Sequence, residues 1–450
     1  MSGRLIESLA TTEPVSELFS DASVLQAMLD FEKALARAEA NVGVIPASRA
    51  DAIAAAATAD SFDTADLVHG AFRAGTLSIP LVKALTEKVR ASDPSAAGYV
   101  HWGATSQDVA DSALMLILKR AREALCAGLT RLEDALLHLS EAYSGTTLLG
   151  RTLMQPAPPV TLGLKAAGWL GSVARGKRRL EAAFDDALVL QFGGASGTLA
   201  SLGEQGLAVS QELARELDLS LPEAPWHTHR DRLAELMCAC GVLTASLGKM
   251  ARDISLMMQG EIGEAAEPGG DDRGGSSTMP HKRNPIGCAL TLAASHRVPG
   301  EVAAFLSAMV QEHERAVGGW QAEWPIVATI IQATGVALAS MTEVAEGLSI
   351  GRERMQANIE ATHGVIFAER AMMMLAPKLG RDRAHKVLQE ATSKSIEDER
   401  HLAEVLAEMP EVNQHLDPAA IRALEEPDQY LGVAEQFRER LRAGTSKKER

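Results

Sequence analysis

Between Val109 and Tyr143 the residues Leu114, Leu118, Ala121, Leu125, Leu129, Leu132, Leu136, Leu139 and Tyr143 follow one another in steps of three or four. A continuous α-helix is what lines such positions up on one face. At 1.5 Å per residue this helix would reach about 50 Å, far beyond the three or four turns of an average globular helix. So long an apolar stripe needs other long helices to cover it, and it commits the chain to a helical bundle. A second stripe, Leu233, Met237, Cys240, Leu243, Leu247, Met250, Ile254 and Met257, breaks at Gly260 and Gly263. Further long helices are expected over about 160–190, 286–316 with a kink at Pro299, and 325–350. The Leu and Met stripes read as core rather than as a lining for a cofactor.

The flanks differ. Up to about residue 105 the helices are shorter, broken by Pro14, Gly43-Val44-Ile45-Pro46, Pro80 and Pro94. After about 355 the breaks fall near Gly380, Pro410, Pro418 and Pro427. An all-α chain in three parts is therefore expected: 1–105, a central long-helix bundle over 106–355, and 356–450. Aromatics at 4% and an abundance of Ala, Leu, Glu and Arg favour helix over strand. A net charge of −15 argues against nucleic acid as a partner, since phosphate neutralisation needs a basic face. Cys126, Cys238, Cys240 and Cys288 form no C-x-x-C pair and read as buried thiols in a reducing compartment. The start, Met1-Ser2-Gly3-Arg4-Leu5, lacks a secretory apolar core, and no uninterrupted apolar run is long enough to span a bilayer. A cytoplasmic protein without a membrane partner is the expectation.

Chemistry concentrates in Gly274-Gly275-Ser276-Ser277-Thr278-Met279-Pro280-His281-Lys282-Arg283-Asn284-Pro285. The glycines let backbone N–H groups converge on an anion. Lys282 brings a point charge, and Asn284 a donor and an acceptor. Ser276 can transfer a proton if such donors stabilise its oxyanion. The whole string resembles the signature loop of the fumarase/aspartase superfamily, G-S-S-x-M-P-x-K-x-N, at every fixed position.

Other strings agree with it. In His101-Trp102-Gly103-Ala104-Thr105-Ser106-Gln107-Asp108, Thr105 can cap the first long helix, with Asp108 three residues on as in a capping box. The same helix end can hold a carboxylate, with Ser106 and Gln107 adding donors. The string resembles the H-x-G-x-T-S-x-D segment of the adenylosuccinate lyase branch. Gly150-Arg151-Thr152-Leu153-Met154-Gln155 resembles the segment G-R-T-H-x-Q, with Leu153 where amine-eliminating members carry a histidine. His227 and His229, opening the second long helix, read as structural rather than metal ligands, and no carboxylate–histidine spacing makes a convincing metal site. The ionised groups in Gln311–Arg315 and Trp320–Trp324 read as paired scaffold.

Together with Ile79–Leu85, Gln191–Leu199, Pro225–Thr228 and Gly380–His385, these strings resemble the bacterial 3-carboxy-cis,cis-muconate cycloisomerases of that superfamily. The resemblance implies lactone closure of a carboxymuconate without metal or cofactor. It also implies a homotetramer whose central helices join in one bundle and whose active sites are shared between subunits. It implies Ser276 as the residue acting at carbon, with Lys282 and Asn284 stabilising the charge that develops. His101, Thr105, Ser106, Gln107, Thr152, Gln155, Ser277 and Met279 would contact the substrate. Lactone closure also accounts for Leu153. The attacking oxygen is a substrate carboxylate of pKa near 4, which needs no acid or base at neutral pH. Position 153 would then be a packing site beside the substrate. An adenylosuccinate- or argininosuccinate-type lyase, with His101 or His281 supplying the proton, and a non-catalytic structural protein on the same fold both stay open at this point.

Overall fold

The computed structural model describes residues 5–270, 274–275, 279 and 282–444. Helix dominates it. Among these residues six helices run for 22 residues or more: α1 (Asp21–Val42), α2 (Ser106–Ala142), α3 (Leu162–Ala187), α4 (Asp231–Met257), α5 (Ile286–Ala308) and α6 (Gly319–Gly347). The leucine stripe is α2, which at 37 residues reaches about 55 Å. Its residues from Leu118 to Leu139 are buried, while Leu114 and Tyr143 at the ends are half-buried. α4 buries its whole stripe from Leu233 to Met257. α5 contains Pro299 but ends at Ala308, short of 316, and α6 begins at Gly319, ahead of Pro325. Between them the chain takes left-handed turns at His313 and Gly318, which no helix carries.

The chain divides into two compact units. One comprises Met1–Leu129, Gly176–Gly248 and Leu290–Ser340; the other comprises Thr130–Arg175, Lys249–Ala289 and Met341–Arg450. These boundaries do not follow the expected division at 105 and 355. They cut through each of α2 to α6, because a helix this long has different neighbours at its two ends. In the first unit small residues bring helices close. A Cβ at Gly128 of α2 would lie 2.9 Å from Leu338 of α6, and Thr244 of α4 meets the hydroxyl of Thr334 of α6 at 3.2 Å. In the second unit, short helices after 368 bury Leu375, Val387, Leu402, Leu406, Ile421 and Leu424 in one cluster. Gly380, Pro410 and Pro418 punctuate it as expected.

Two small sheets interrupt the helical chain. Residues 147–161 form an antiparallel hairpin of β1 (Thr147–Thr152) and β2 (Gln155–Thr161). A two-residue ladder joins β3 (Ala265–Ala266) to β4 (Ser349–Ile350). These sheets are too small to change the all-α class. Finally, α4 and α6 are long and apolar enough to cross a membrane by composition, although most of each apolar window is buried within the protein. Of the four cysteines expected to be buried, Cys240 and Cys288 are, and burial pushes the Cys240 thiol up to about 12; Cys126 and Cys238 are only half-buried, because they sit off the apolar stripes of their helices.

Glu39 of α1 is fully buried, and among the described residues neither of its carboxyl oxygens has a hydrogen-bond partner. Burial, reinforced by the nearby Glu32, lifts its pKa from 4.5 to about 9. The folded protein must therefore keep a proton that the unfolded chain releases, and stability falls as pH rises from about 4.5 to about 9. Glu39→Gln removes that requirement. We expect the variant to match the wild type near pH 4.5 and to exceed it by up to about 3 kcal/mol at pH 7. Denaturant unfolding across this range checks it; parallel pH profiles for the two proteins would contradict it.

Candidate active site

The start of α2 is built around one carboxylate. Asp108 Oδ2 accepts the backbone N–H of Thr105 at 3.0 Å and that of Gly194 at 2.9 Å. Its Oδ1 accepts the N–H of Gly193 at 3.0 Å and His227 Nε2 at 2.7 Å. This is the carboxylate half of the predicted capping box. The Thr105 hydroxyl does not complete the box; it accepts from Arg315 Nη1 at 2.7 Å. Glycine is required in the facing loop. A Cβ at Gly193 would sit 2.8 Å from His227 Cε1, and Gly194, at φ +68°, would place one 2.8 Å from the Gly103 carbonyl. Arg315 Nη2 donates to the carbonyls of Gly194 and Ala195, at 3.2 and 3.1 Å.

One turn along α2, Asp111 opens a second buried network. Arg230 is completely buried between Asp111, at 2.7 Å, and Glu323, at 2.6 Å, with its guanidinium 4.5 Å from the Trp226 ring centroid. Trp320 Nε1 and Gln191 Nε2 donate to Asp111, and Gln311 Nε2 to Glu323. Burial opposes the charge on Arg230, but its two carboxylate partners outweigh it and hold its pKa above the ordinary arginine value. Burial pushes the Glu323 carboxyl up, against the pull of Arg230. The paired-scaffold reading of Trp320–Trp324 therefore holds for Glu323, whereas Arg315 of Gln311–Arg315 bonds to a hydroxyl and two carbonyls.

Four of the predicted contacts lie together in the first unit. His101 is at φ +60°, with Nδ1 2.7 Å from Glu32 Oε1. Thr105 and Ser106 are half-buried at the helix start. Gln107, expected to donate to the substrate, is fully buried, and its amide donates to the His227 carbonyl at 2.7 Å and to Asp111 at 3.1 Å, because this position of the helix faces the protein.

The second unit holds the others. Arg151 pairs with the buried Glu264 at 2.7 Å, and Asn358 donates to the same carboxylate at 2.8 Å. This anchors the hairpin, whose last pair is Thr152 with Gln155. Leu153 and Met154 form the two-residue tip at φ +49° and +66°, the geometry of a type I′ turn, which normally selects Asn-Gly. Leu153 is 97% exposed and Met154 71%. Within its own chain Leu153 is thus not a packing site, because the tip projects away from the core. The base of the signature loop is closed by the Asn284 N–H on the Gly274 carbonyl at 2.9 Å, and Gly274 takes φ +67° there. The Glu267 carboxylate accepts the N–H groups of Gly287 and Cys288, at 2.9 and 2.8 Å, at the start of α5. Lys282 and Met279 are exposed, and Asn284 is half-buried. Ser276, Ser277 and His281 lie outside the described residues.

Sequence reading missed the reach of Asp108 to Gly193, Gly194 and His227, and it missed Glu32. The adjacent glycines were the available signal for the first; Glu32 sits in a helical stripe with nothing to mark it. Among the described residues no group of three His, Cys, Asp or Glu side chains converges as metal ligands do.

Residues 7–300 match the family described as lyase, and residues 364–441 the one described as adenylosuccinate lyase C-terminus. The chain is 48% identical over 437 residues to the 3-carboxy-cis,cis-muconate cycloisomerase of Bradyrhizobium diazoefficiens, covering 97% of each. It is 46% identical over 442 residues to the protein of that name from Pseudomonas aeruginosa, covering 98% of this chain and 96% of the other. The crystal structure of 3-carboxy-cis,cis-muconate lactonizing enzyme from Pseudomonas putida matches with a TM-score of 0.93 at 44% identity, covering 98% of this chain and 99% of that one.

Removing Arg230 would leave Asp111 and Glu323 buried without a counter-charge. Breaking such a buried pair costs roughly 3–5 kcal/mol. Arg230→Met should therefore lower the denaturant midpoint sharply. The triple variant Asp111→Asn, Arg230→Met, Glu323→Gln, which buries no charge, should recover much of the loss.

Proposed function

The chain belongs to the lyase family that its residues 7–300 match, within the fumarase/aspartase superfamily, and from that premise we infer that it is a cycloisomerase closing 3-carboxy-cis,cis-muconate to a carboxymuconolactone. The observation that carries this reading is the 48% identity to a cycloisomerase over 97% of both chains.

In the reaction an oxygen of one substrate carboxylate forms a bond to an alkene carbon. The π electrons move toward the neighbouring carboxylate, and the carbon beside it takes a proton. A carboxylate becomes an ester, so each turnover consumes one proton. The nucleophile is already ionised, and the attack is intramolecular, so holding the substrate folded removes much of the entropic barrier. What remains is to deliver the proton to carbon and to stabilise the enolate-like charge. We assign the proton to Ser276 and the stabilisation to Lys282, Asn284 and loop N–H groups. His101, Thr105, Ser106, Thr152, Gln155, Ser277 and Met279 hold the substrate, with Gln107 bracing the start of α2 from inside. Leu153 fits because no leaving nitrogen has to be protonated.

The protein acts as a cytoplasmic homotetramer with shared active sites, needs no metal or cofactor, and binds neither nucleic acid nor membrane. The hairpin tip supports sharing. Two non-glycine residues at positive φ cost about 1–2 kcal/mol each, and they expose two large apolar side chains between Thr152 and Gln155, also exposed. A tip covered by another copy accounts for both. The free thiols fit a reducing compartment and the net charge of −15 disfavours nucleic acid.

The assay is loss of the diene absorbance of 3-carboxymuconate, run beside adenylosuccinate and argininosuccinate. Only the first should react. Ser276→Ala should lower kcat by about 10²–10⁴-fold, the usual contribution of a general acid, while substrate still binds. Near-normal turnover in a folded Ser276→Ala protein would remove Ser276 from this role.

Sharing of sites predicts complementation. Inactive Ser276→Ala and inactive Gln155→Ala proteins, unfolded and refolded together, should regain partial activity, because mixed tetramers assemble some intact sites. A fully active monomer by light scattering would defeat this.

A further inference from the structure

Glu32 has no place in the reaction as described, yet it is a buried carboxylate in direct contact with His101. Its side chain has no exposed surface, and Oε1 lies 2.7 Å from His101 Nδ1. Its other oxygen, Oε2, is buried without a partner among the described residues. His101 is held from behind. Its backbone is left-handed at φ +60°, its ring is 18% exposed, and among the described residues Nε2 has no partner. Four residues on, Thr105 precedes α2, its N–H donating to Asp108 and its hydroxyl accepting from Arg315.

We propose that Glu32 is a positioning residue for lactone closure: it fixes His101 with Nδ1–H turned inward and presents a cationic Nε2–H beside the start of α2, where a substrate carboxylate binds. The proposal rests on the functional reading above and deepens it. A lone imidazole on a turn would rotate, and near neutral pH it would be largely uncharged. A buried carboxylate at hydrogen-bond distance corrects both, by orienting one ring nitrogen and favouring the protonated ring.

The charges around the ring agree. Burial opposes the cation. Glu32 of α1 opposes burial through its charge and its hydrogen bond, the more distant charge of Asp108 of α2 acts in the same direction, and together they hold the pKa above the ordinary 6.5. Glu39, further along α1, stays protonated in the pH range where His101 titrates and adds no competing charge. Arg315, on the Thr105 hydroxyl, His227, on Asp108, and the Arg230–Asp111 pair one turn along also lie near this end of α2.

Glu32→Gln tests the idea, since its amide oxygen can still accept from Nδ1–H while the charge is gone. In histidine-labelled protein, with the His101 signal assigned by its loss in His101→Gln, we expect the wild-type ring to titrate above 6.5. In Glu32→Gln the midpoint should fall by about one pH unit. kcat/KM for 3-carboxymuconate should then drop about tenfold at pH 8, mainly through KM, and Glu32→Gln should have no further effect in the His101→Gln background. A wild-type His101 midpoint at or below 6.5 would overturn the proposal even if Glu32→Gln failed to fold. An unchanged midpoint in Glu32→Gln, or an equal loss without His101, would overturn it too. Should 3-carboxymuconate not react at all, the functional reading fails, while the titration still decides the role of Glu32.

Discussion

Four N–H groups from three distant segments meet on the carboxylate of Asp108. Each oxygen accepts two, so the charge is satisfied without solvent, and bonds to an ionised acceptor are the stronger kind. The cap of α2, the turn at Gly193-Gly194 and the ring of His227 therefore cannot move independently. His227 in turn offers its carbonyl to Gln107, on the next residue back from Asp108. The loop can come this close only because it has no side chain at 193 or 194. At a helix start fixed in this way, an anion would bind with little ordering cost.

The protein handles buried carboxylates in two opposite ways. Asp108, Asp111 and Glu323 are surrounded by donors: backbone N–H groups, Trp320, Gln191, Gln311 and the guanidinium of Arg230. Donors make burial of charge tolerable, and the cost of losing any of them is high. Glu39 receives none, and it keeps its proton instead. Glu32 stands between these cases, with one oxygen on His101 and the other unpartnered. That asymmetry ties its charge to a single residue.

Long-range helical order was legible because α2 and α4 repeat one pattern over many turns, and a repeat is hard to mistake. The hairpin was not. Gly150-Arg151-Thr152-Leu153-Met154-Gln155 carries none of the Asn-Gly signal of a type I′ turn, and the strand pairing is fixed by Arg151 on Glu264, 113 residues away. The same limit hid most of the candidate site. Thr105, Ser106 and the loop base at Gly274 and Asn284 could be placed from local motifs. The inward face of Gln107, and the contacts of Asp108 with Gly193 and His227, are set by tertiary neighbours. A polar residue on the second position of a helix gives no hint of which way it turns.

A tricarboxylate is a difficult guest for a chain of net charge −15, and local charge has to reverse the global sign. What counts is whether a cation is already neutralised. Arg230 is spent on Asp111 and Glu323 and contributes little potential beyond them. Arg315 differs. Its hydrogen bonds go to the Thr105 hydroxyl and two backbone carbonyls, all uncharged. These fix its geometry but leave its charge uncompensated among the described residues, at the same helix end where the macrodipole is positive. His101, held as a cation, would add to that potential, and Lys282 supplies an exposed charge in the second unit. Lactone closure asks for this kind of field. Its nucleophile arrives ionised and its product has lost one negative charge, so the field must draw the substrate in without holding the product too firmly. Titratable or hydrogen-bonded cations suit that better than a permanent ion pair, because their attraction weakens as the carboxylate becomes an ester.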